Sequence, residues 1–423
     1  MNSGLYKSLI ESELLISHEE VDIGYALSNN AYKIIKPELI TFISYPYEWC
    51  FDQLKDAALT TLKIQKKSLD FGMSLKDCSA YNIQFKKGKS IFIDTLSFEK
   101  YQEGCPWNAY RQFCQHFLAP LALMSYKDIR LNQLLRIYID GIPLNLSSKL
   151  LPFSSYFVFS LFSHIHLHAQ CQKYFAYKPI KKRSRRKISQ IALLGLVESL
   201  ESCVKNLKWR PKKTEWCNYY DNTNYSCDSF NHKKQLVAEF FDKINPKIVW
   251  DLGANIGSFS RIAANKGTQV ISVDNDPVCI ENNYLENKKK GETNILPLLL
   301  DLTNPSSSIG WENQERISFI ERGPADTVLA LALIHHLAIV NNLPLNIIAK
   351  FFNGICNSLI IEFVPKCDSQ VQRLLSTRED IFPGYTQTAF ENEFSKFFIK
   401  KDSSKIRDTK RILYLMVKKN NNP

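Results

Sequence analysis

The chain has 423 residues, more than one hydrophobic core usually organises, so two or three domains are expected. Hydrophobic residues make up 45% of the sequence and aromatic residues 12%, which excludes an intrinsically disordered protein. The formal net charge is +12, and most of it comes from residues 175–214, where twelve Lys and Arg residues stand against two glutamates. The basic character is therefore a local patch and not a general property of the chain.

The eleven cysteines include no C-x-x-C pair, which argues against a disulfide framework or a zinc ribbon. The first twenty residues lack a basic segment followed by an apolar run, so no signal peptide is expected. The most apolar stretch, 150–167, is too polar to span a membrane. These features together predict a cytoplasmic protein without a membrane span.

The first 174 residues are predicted to form a mixed α/β and then helical leader domain. Residues 39–44 and 90–94 have the composition of short strands, and 48–69 carries apolar residues at helical spacing. Residues 107–174 are predicted to be mostly helical. The run 175–187, rich in Lys and Arg, is predicted to be a basic linker.

The remainder, 188–423, is predicted to be one domain built on a parallel sheet. A helix comes first, and from Lys247 onward short apolar runs alternate with helical segments, as in βαβ units. The predicted parallel strands are 248–250, 270–273, 295–300, 328–332 and 359–363. Residues 396–400 and 412–417 are predicted to add a closing hairpin, giving a doubly wound, seven-stranded sheet.

The first predicted strand of this domain runs into a glycine-containing loop. Asp251 ends the strand, and Gly253, Asn255 and Gly257 follow before the next helix. Glycines at such a loop let the backbone approach a ligand closely. A dinucleotide fingerprint would require a third glycine, and the Asp251 carboxylate would repel a pyrophosphate. The pattern instead favours a ligand that carries positive charge, such as S-adenosylmethionine.

Two further carboxylates end neighbouring strands. Asp274 closes the second strand, where an acid in this type of sheet accepts hydrogen bonds from ribose hydroxyls. Asp301 closes the third strand, near the expected position of an adenine ring. Together with Asp251, Gly253, Asn255 and Gly257, these residues form the predicted cofactor site.

This ordered set resembles the class I methyltransferases over roughly residues 215–420. The segment 251–257 resembles their first motif, with Asn255 in place of a common middle glycine, and Asp274, Asp301 and 325–337 extend the likeness. The resemblance implies a Rossmann-like fold, S-adenosylmethionine as cofactor and methyl transfer as activity. The alternatives are another ligand on a similar sheet, or an inactive relative.

Candidates for catalysis follow the fourth and fifth strands. His335 and His336 come after the fourth strand, and one of them could act as a base, although packing and capping are the simpler roles. Glu362 ends the fifth strand and is predicted to line the acceptor pocket. The family motif N/D-P-P-Y/F for amine acceptors is absent. The aromatic segment 215–225 is predicted to be either a lid or an ordinary packed helix.

The leader carries residues that resemble the catalytic loop and metal-binding aspartate of kinase-like folds. These are Asp77, Asn82 and Asp94, in the order and spacing that would bring a base and metal ligands together. No glycine-rich loop and no strand lysine precede them, so an active kinase is not expected, and the likeness reflects either a degenerate kinase-like lobe or a coincidence of spacing.

The leader also resembles that of bacterial methyltransferases similar to nodulation host-specificity proteins. The segments that carry this likeness are 45–49, 75–77, 92–98, 107–110 and 117–121. The resemblance implies modification of an oligosaccharide signal or a related glycan, so the expected acceptor is a small molecule, a sugar or a glycolipid precursor.

Two other functions remain open, and a possible metal site is not predicted. The basic patch could serve an RNA methyltransferase by contacting phosphates, and both lobes could serve a regulator that binds partners without catalysis. His164 and His168 have helical spacing for a metal, but no acidic or cysteine partner stands nearby in the sequence, so no metal site is predicted.

Overall fold

The computed structural model describes residues 3–26, 28, 30–176, 188–210, 225–376 and 378–419. The chain divides into two compact units, Met1–Pro211 and Lys212–Pro423. No helix of the described residues is long and apolar enough to cross a membrane. No disulfide joins the cysteines within these same ranges. Residues 177–187 of the predicted linker and 215–224 of the predicted lid lie outside the described part of the chain.

The first unit contains short strands and many helices. Its strands are β1 His18–Val21, β2 Ile34–Pro37, β3 Met73–Leu75, β4 Ile83–Lys86, β5 Lys89–Phe92 and β6 Phe98–Lys100. Its helices are α1 Leu5–Glu11, α2 Phe51–Asp70, α3 Tyr110–Phe113, α4 Ala119–Tyr126, α5 Leu134–Ile137, α6 Leu144–Leu150, α7 Phe159–Leu161, α8 His168–Ala176 and α9 Gln190–Asn206. The strands pair in three antiparallel couples, β1 with β2, β3 with β6, and β4 with β5.

Helix α2 forms the centre of the first unit. Its N-terminus is fixed by the Gln53 side chain, whose Oε1 accepts a hydrogen bond of 3.0 Å from the Cys50 backbone amide. Leu54, Ala58 and Leu62 are fully buried on one stripe, as the apolar spacing predicts. The predicted helix 48–69 is therefore present, with its ends shifted by one to three residues.

The predicted strand 39–44 is wrong. The strand of this region is β2, which pairs with β1 and ends at Pro37. Proline lacks the amide hydrogen that a ladder needs, and the chain beyond it leaves the sheet. Leu39 is 88% exposed while Phe42 is buried, so the apolar run covers the surface irregularly and does not alternate.

The second unit is an alternation of strands and helices followed by a hairpin. Its strands are β7 Ile248–Leu252, β8 Gln269–Asp274, β9 Ile295–Leu299, β10 Ala325–Ala330, β11 Cys356–Phe363, β12 Phe398–Lys405 and β13 Ile412–Lys418. Its helices are α10 Cys227–Ile244, α11 Ser260–Ala264, α12 Pro277–Lys290, α13 Leu345–Ile355, α14 Ser369–Leu375 and α15 Gln387–Ser395.

Within the described residues of the second unit, seven strands form one sheet in the order β12-β13-β11-β10-β7-β8-β9. Strands β7 to β11 run parallel, and β13 is antiparallel to both β11 and β12. From β7 the chain first builds the sheet outward through β8 and β9, then returns to the other side of β7 with β10. The carboxyl ends of β7 and β10 therefore adjoin at the point where the strand order reverses, which is where such sheets bind ligands.

Both faces of this sheet are covered. Successive side chains of a strand point to opposite faces, so Val249 and Trp250 on β7 report on one face each. Val249 packs with Val237 and Phe241 of α10 in one buried cluster. Trp250 lies against Phe319 on the other face, with ring centroids 4.6 Å apart. The predicted mixed α/β architecture with a seven-stranded sheet is thus present.

The boundary between the units differs from the predicted one. The second domain was expected to begin at Ile188, but the helix that follows, α9, belongs to the first unit. It packs along α2, and the Lys66 ammonium of α2 pairs with Glu201 of α9. An amphipathic helix in sequence shows that it must pack, but not on which neighbour, and here the neighbour precedes the basic run.

Candidate functional site

A cavity of about 340 Å³ opens at the carboxyl ends of β7, β8, β9 and β10 in the second unit. Its walls come from the loops that follow these four strands. The residues that line it are Gly253, Asn255, Asp274, Asn275, Leu300, Asp301, Leu302, Thr303, Leu331, Ala332, Leu333, His336, Leu337, Val340 and Asn341. Two are carboxylates, and no Lys or Arg is among the described residues of the wall. The cavity is therefore suited to a ligand with positive and apolar parts.

The loop after β7 is a tight turn against β8. The backbone amides of Gly253 and Ala254 both donate to the Val273 carbonyl, at 2.8 and 2.9 Å. Gly253 and Gly257 have φ of +77° and +78°, and Asn255, where the motif commonly has glycine, has φ of +53°. Asparagine tolerates this left-handed region better than most residues with a Cβ. A Cβ at Gly257 would lie 2.5 Å from the Asn283 side-chain oxygen, so only glycine fits there.

Asp274 connects this loop to the cavity. One carboxylate oxygen accepts from the Asn255 amide at 2.7 Å, and the other accepts from the Asp276 amide at 2.9 Å. Burial raises the pKa of this carboxyl to about 6, in spite of those amide hydrogen bonds, which favour the ionised form. The side chain thus holds the loop in shape while facing the cavity.

Asp251 and Gly257, both predicted as cofactor-binding residues, are not among the described residues of the cavity wall. Asp251 is only 2% exposed and accepts a hydrogen bond of 2.6 Å from the Ser260 hydroxyl at the start of α11. Burial raises its pKa to about 7. This hydrogen bond joins β7 to α11, the two elements that the glycine loop connects, so Asp251 stabilises the loop without lining the cavity.

Asp301 follows β9, lines the cavity and is exposed. One of its oxygens accepts from both the amide and the hydroxyl of Thr303, at 2.8 and 2.7 Å. The Leu300 amide just before it donates to the Asp274 backbone carbonyl at 2.9 Å. These hydrogen bonds tie the turn after β9 to the end of β8, so the Asp274 and Asp301 side chains belong to one continuous rim.

The two predicted catalytic histidines occupy different positions. Their rings are 4.2 Å apart, and only His336 lines the cavity. His335 is 2% exposed, and its Nδ1 has no hydrogen-bond partner among the described residues. Burial lowers the pKa of both imidazoles, that of His336 to about 4. Both rings are therefore neutral near pH 7, so His336 can accept a proton there.

The floor of the cavity is held by a buried ionic cluster, formed by Glu362, Lys233, Arg411, Asp368 and Tyr225. Glu362 does not line the cavity, contrary to the prediction. It is fully buried and accepts a hydrogen bond of 2.6 Å from the Lys233 ammonium. Arg411 contacts Glu362 at 3.3 Å and Asp368 at 2.7 Å, and the Tyr225 hydroxyl also donates to Glu362. Burial alone would raise the pKa of Glu362, but Lys233 and Arg411 outweigh it and lower that pKa to about 2.

This cluster reaches the cavity through one backbone group. The Ala332 amide donates a hydrogen bond of 2.9 Å to the Glu362 carboxylate. Ala332 has a φ of +47°, in the left-handed region that alanine rarely adopts. The loop between β10 and His336 is therefore held in a strained shape by a buried carboxylate. Sequence reasoning missed this role, although an acid inside the apolar run 359–363 signals a buried charge that needs partners.

Asp326, inside the segment 325–337, has a structural role. It accepts hydrogen bonds of 2.9 Å from the amides of Lys247 and Ile248. These groups lie at the start of β7 and β10, at the end of the strands opposite the cavity.

In the first unit, the residues that resemble a kinase site make local hydrogen bonds around the β4–β5 hairpin. The Asn82 side-chain amide donates a hydrogen bond of 3.2 Å to the Ser97 hydroxyl, and that hydroxyl donates one of 2.5 Å to the Asp94 carboxylate. Asp77 accepts from the Ser79 amide at 2.9 Å and closes its own loop. No group of three or more His, Cys, Asp or Glu residues in the described chain is placed to hold a metal ion.

The three histidines near residue 166 serve as hydrogen-bonding partners in the first unit. His164 contacts the Tyr110 hydroxyl at 2.8 Å and Ser199 at 3.0 Å through its two ring nitrogens. His168 stacks on the Tyr110 ring at 4.8 Å. Burial lowers the pKa of His164 to about 4, so this ring is neutral and engaged. These contacts account for the helical histidine spacing without a metal.

The chain is similar in sequence to nodulation protein NoeA from Rhizobium meliloti (strain 1021). The two are 36% identical over 415 residues, which cover 96% of this chain and 87% of that protein. A scan against protein-family profiles gives no match.

Similar solved structures include WbdD, with a TM-score of 0.33 and 15% identity over 47% of this chain and 42% of WbdD. N-methyltransferase NodS from Bradyrhizobium japonicum WM9 has a TM-score of 0.34 and 9% identity, covering 46% of this chain and 98% of NodS. Magnesium protoporphyrin IX methyltransferase from Synechocystis PCC 6803, solved with bound SAH, has a TM-score of 0.34 and 16% identity, covering 48% of this chain and 93% of that one.

Proposed function

This chain belongs to the family of nodulation protein NoeA, and we propose that it is an S-adenosylmethionine-dependent methyltransferase. Its proposed acceptor is a small molecule, a sugar or a glycolipid precursor. The proposal includes a Rossmann-like, doubly wound character for the second unit and a cofactor bound at the edge where β7 and β10 adjoin.

The observation that carries the proposal is the composition of the cavity wall. Asp274 and Asp301 provide two carboxylates, the rest of the wall is uncharged apart from the neutral imidazole of His336, and no Lys or Arg of the described residues lines it. A pyrophosphate would meet repulsion in such a cavity. A sulfonium and an ammonium would meet attraction, and a ribose could donate its hydroxyls to a carboxylate.

Each wall then has a proposed task toward the cofactor. Asp274 accepts the ribose hydroxyls, Asp301 lies beside the adenine, and the Gly253–Gly257 loop passes close to the amino acid portion. Leu331, Leu333 and Leu337 supply apolar surface and exclude water from the reacting atoms. When bound, S-adenosylmethionine supplies an activated methyl group on sulfur.

His336 is the proposed base. It lines the cavity, and its neutral imidazole would take the proton that an acceptor hydroxyl loses as its oxygen bonds to the methyl carbon. Because burial lowers its pKa to about 4, it is a weak base in the unliganded site and would act only as that bond forms. Bound S-adenosylmethionine would supply that methyl group, and its sulfur would keep the electron pair of the broken carbon–sulfur bond. His335 is buried, and its ring lies 4.2 Å from that of His336.

Calorimetric titration with S-adenosylhomocysteine tests the cofactor assignment. Wild-type protein is expected to bind with a dissociation constant in the micromolar range. Asp274→Ala should weaken binding by about 1.5–3 kcal/mol, roughly 10- to 100-fold, because charge-assisted hydrogen bonds are lost. Asp242→Ala is the matched control, since it removes a surface carboxylate of the same unit that pairs with Lys266. No heat with wild type, or equal affinity for NAD, would contradict the assignment.

The acceptor class needs a separate measurement. Protein incubated with cofactor labelled in the methyl group can be offered small-molecule, glycolipid and RNA extracts, and products identified by mass spectrometry. Label in the small-molecule or glycolipid fraction, lost in His336→Asn, is the expected result. Label in RNA alone would replace the proposed acceptor.

A further inference from the structure

A second cavity of the second unit lies between the segment that follows β11 and the turn that joins β12 to β13. Its volume is about 600 Å³. Lys405, Arg407 and Lys410 contribute three exposed cations to its wall, and Ser369 and Thr409 contribute hydroxyls. The cofactor cavity has the opposite character, since its described wall contains two carboxylates and no Lys or Arg. This second cavity is called the basic pocket below.

The cations of the basic pocket have no carboxylate partners. In the described part of the chain, the side chains of Lys405, Arg407 and Lys410 form no ion pair. Several other lysines of the same unit do pair with a carboxylate, namely Lys243, Lys266, Lys366 and Lys396. Cations that converge on one pocket repel one another, and an anion bound among them would relieve that repulsion.

Two acids also line the basic pocket, but they do not cancel its charge. Asp368 is buried and accepts hydrogen bonds from Arg411 Nε at 2.7 Å and Nη2 at 3.0 Å, so a fully buried guanidinium already neutralises it. Asp408 is exposed and is the other carboxylate of the described wall. Three cations therefore stand against one carboxylate, which leaves the pocket positive.

The turn that carries the cations is held by its own backbone hydrogen bonds. The Ile406 amide donates to the Arg411 carbonyl at 3.0 Å, and the Thr409 amide donates to the Ile406 carbonyl at 3.2 Å. The Thr409 hydroxyl accepts from the Arg411 amide, and His232 Nδ1 accepts from the Arg407 amide, both at 3.1 Å. The backbone of the turn is thus fixed without the cationic side chains, so a ligand that binds them need not order the turn.

The basic pocket lies at the same edge of the sheet as the cofactor cavity. Phe363, which ends β11, pairs with Ile412 at the start of β13, and Ile412 pairs with Lys405 at the end of β12. These three residues are therefore at the edge where the parallel strands have their carboxyl ends. Strand β10, whose following loop lines the cofactor cavity, is two strands from β13, or about 10 Å at the usual strand spacing. One small molecule can therefore extend from the cofactor cavity to the basic pocket.

We propose that the basic pocket binds a phosphate or sulfate ester group of the acceptor, while the group that receives the methyl lies at the cofactor cavity. The planar guanidinium of Arg407 can donate to two oxygens of such an oxyanion, and Lys405 and Lys410 add charge. The acceptor is then a molecule with an anionic ester about 10 Å from its methylated position. Its role as an acceptor site rests on the proposed methyl transfer, whereas the binding of the anion does not.

Calorimetric titration of the full chain with glucose 6-phosphate, glucose 6-sulfate and glucose tests the proposal. At low salt at least one ester should bind more tightly than glucose, and the tighter ester identifies the preferred anion. Added salt should weaken this binding. The triple variant Lys405→Gln, Arg407→Gln, Lys410→Gln should raise the dissociation constant of the ester roughly tenfold or more, because its charged donors are lost.

Two further variants make the test specific to the basic pocket. The matched control removes three exposed cations of the same unit that do not line the pocket, Lys247→Gln, Lys289→Gln, Lys350→Gln. It should bind the ester as wild type does. Asp408→Asn removes the exposed acid of the pocket and should tighten binding by roughly two- to tenfold, a gain that misfolding cannot produce.

Titration with S-adenosylhomocysteine separates this inference from the proposed function. Wild type and both triple variants should bind it equally, because none of the changed residues lines the cofactor cavity. Three results would overturn the anion site: no ester bound more tightly than glucose by wild type, unchanged ester binding by the triple variant of the pocket, or an equal loss in the control. Ester binding by a protein that binds no S-adenosylhomocysteine would contradict methyl transfer and support the anion site.

Discussion

Asn255 has a backbone conformation that its own type tolerates and most others do not. Its φ of +53° lies in the left-handed region, and Asp274 accepts its amide hydrogen at 2.7 Å. Asn255→Gly and Asn255→Ala both remove the side-chain amide, but only alanine retains a Cβ. The alanine variant should be less stable than the glycine variant by about 1 kcal/mol, measured by urea unfolding. Equal stabilities would show that the loop relaxes out of this conformation.

His336 gives the second unit a defined pH dependence. Burial lowers its pKa to about 4 from the ordinary 6.5, so between these values the unfolded chain binds more protons than the folded one. Its contribution to the free energy of unfolding is therefore lost as pH falls from 6.5 through 4. Asp251 and Asp274 act in the opposite sense, because their raised pKa values favour the folded state at lower pH.

Comparing wild type with His336→Asn isolates the contribution of this histidine to the pH dependence of stability. Between pH 7 and pH 5, wild type should lose more stability than His336→Asn, when both are followed by urea unfolding. The two carboxyls are common to both proteins and cancel in the difference. Parallel curves would mean that the pKa of His336 is the same in the folded and the unfolded chain.

Most of the residues predicted for the cofactor site lie on the cavity because each directly follows a strand. Gly253, Asn255, Asp274 and Asp301 can be placed by local pattern alone, since the carboxyl ends of parallel strands meet at one edge. Asp251 lies inside β7, one residue before its end. Its burial against α11 depends on tertiary packing that no local pattern specifies.

At the scale of elements, the loop after β10 depends on a charge delivered by β11. Glu362 holds the Ala332 amide and neutralises Lys233 and Arg411, which come from α10 and from the residue preceding β13. Sequence reasoning located the strand but not these partners, because Lys233 and Arg411 are 129 and 49 residues away along the chain. Separations of this size carry no periodic signal.

Glu362→Gln should therefore lower the free energy of unfolding by about 3–5 kcal/mol, because it leaves the buried Lys233 without its carboxylate while Arg411 keeps only Asp368. Thermal and urea unfolding measure the effect. Glu393→Gln makes the same chemical change in a surface pair, where Glu393 lies 2.7 Å from a Lys396 side chain that is 59% exposed. That control should change stability by less than about 1 kcal/mol. Similar losses in both variants would contradict the role given to the buried cluster.

At the scale of the whole molecule, the two units predict where the chain can be divided. Helix α9 completes the first unit through its packing on α2, so a fragment that ends at residue 187 lacks part of that core. A fragment of residues 1–211 should unfold cooperatively, and 1–187 should be markedly less stable in urea. Fragment 212–423 should retain binding of S-adenosylhomocysteine. Equal stability of the two N-terminal fragments would restore the boundary predicted at 188.

The sequence predicted the alternation of strands and helices in the second unit well, because each buried parallel strand is a short apolar run between polar segments. For the division of the chain it predicted a boundary at 188, whereas α9, which follows that point, packs with the first unit. A basic run looks like a linker whether it lies between domains or within one, and only the packing of α9 distinguishes these cases.

The arrangement of the last hairpin also bears on how the protein is made. Strand β13 lies between β11 and β12, and Arg411, which pairs with Glu362 and Asp368, immediately precedes it. A nascent chain that has just passed Lys405 thus has an unpaired edge on β11 and two buried acids without their guanidinium. The first unit is complete once α9 has emerged, about 200 residues earlier, or roughly 10–40 s at ordinary rates of translation. During that interval a folded first unit carries an unfinished sheet, and this is the period in which a chaperone would have most to protect.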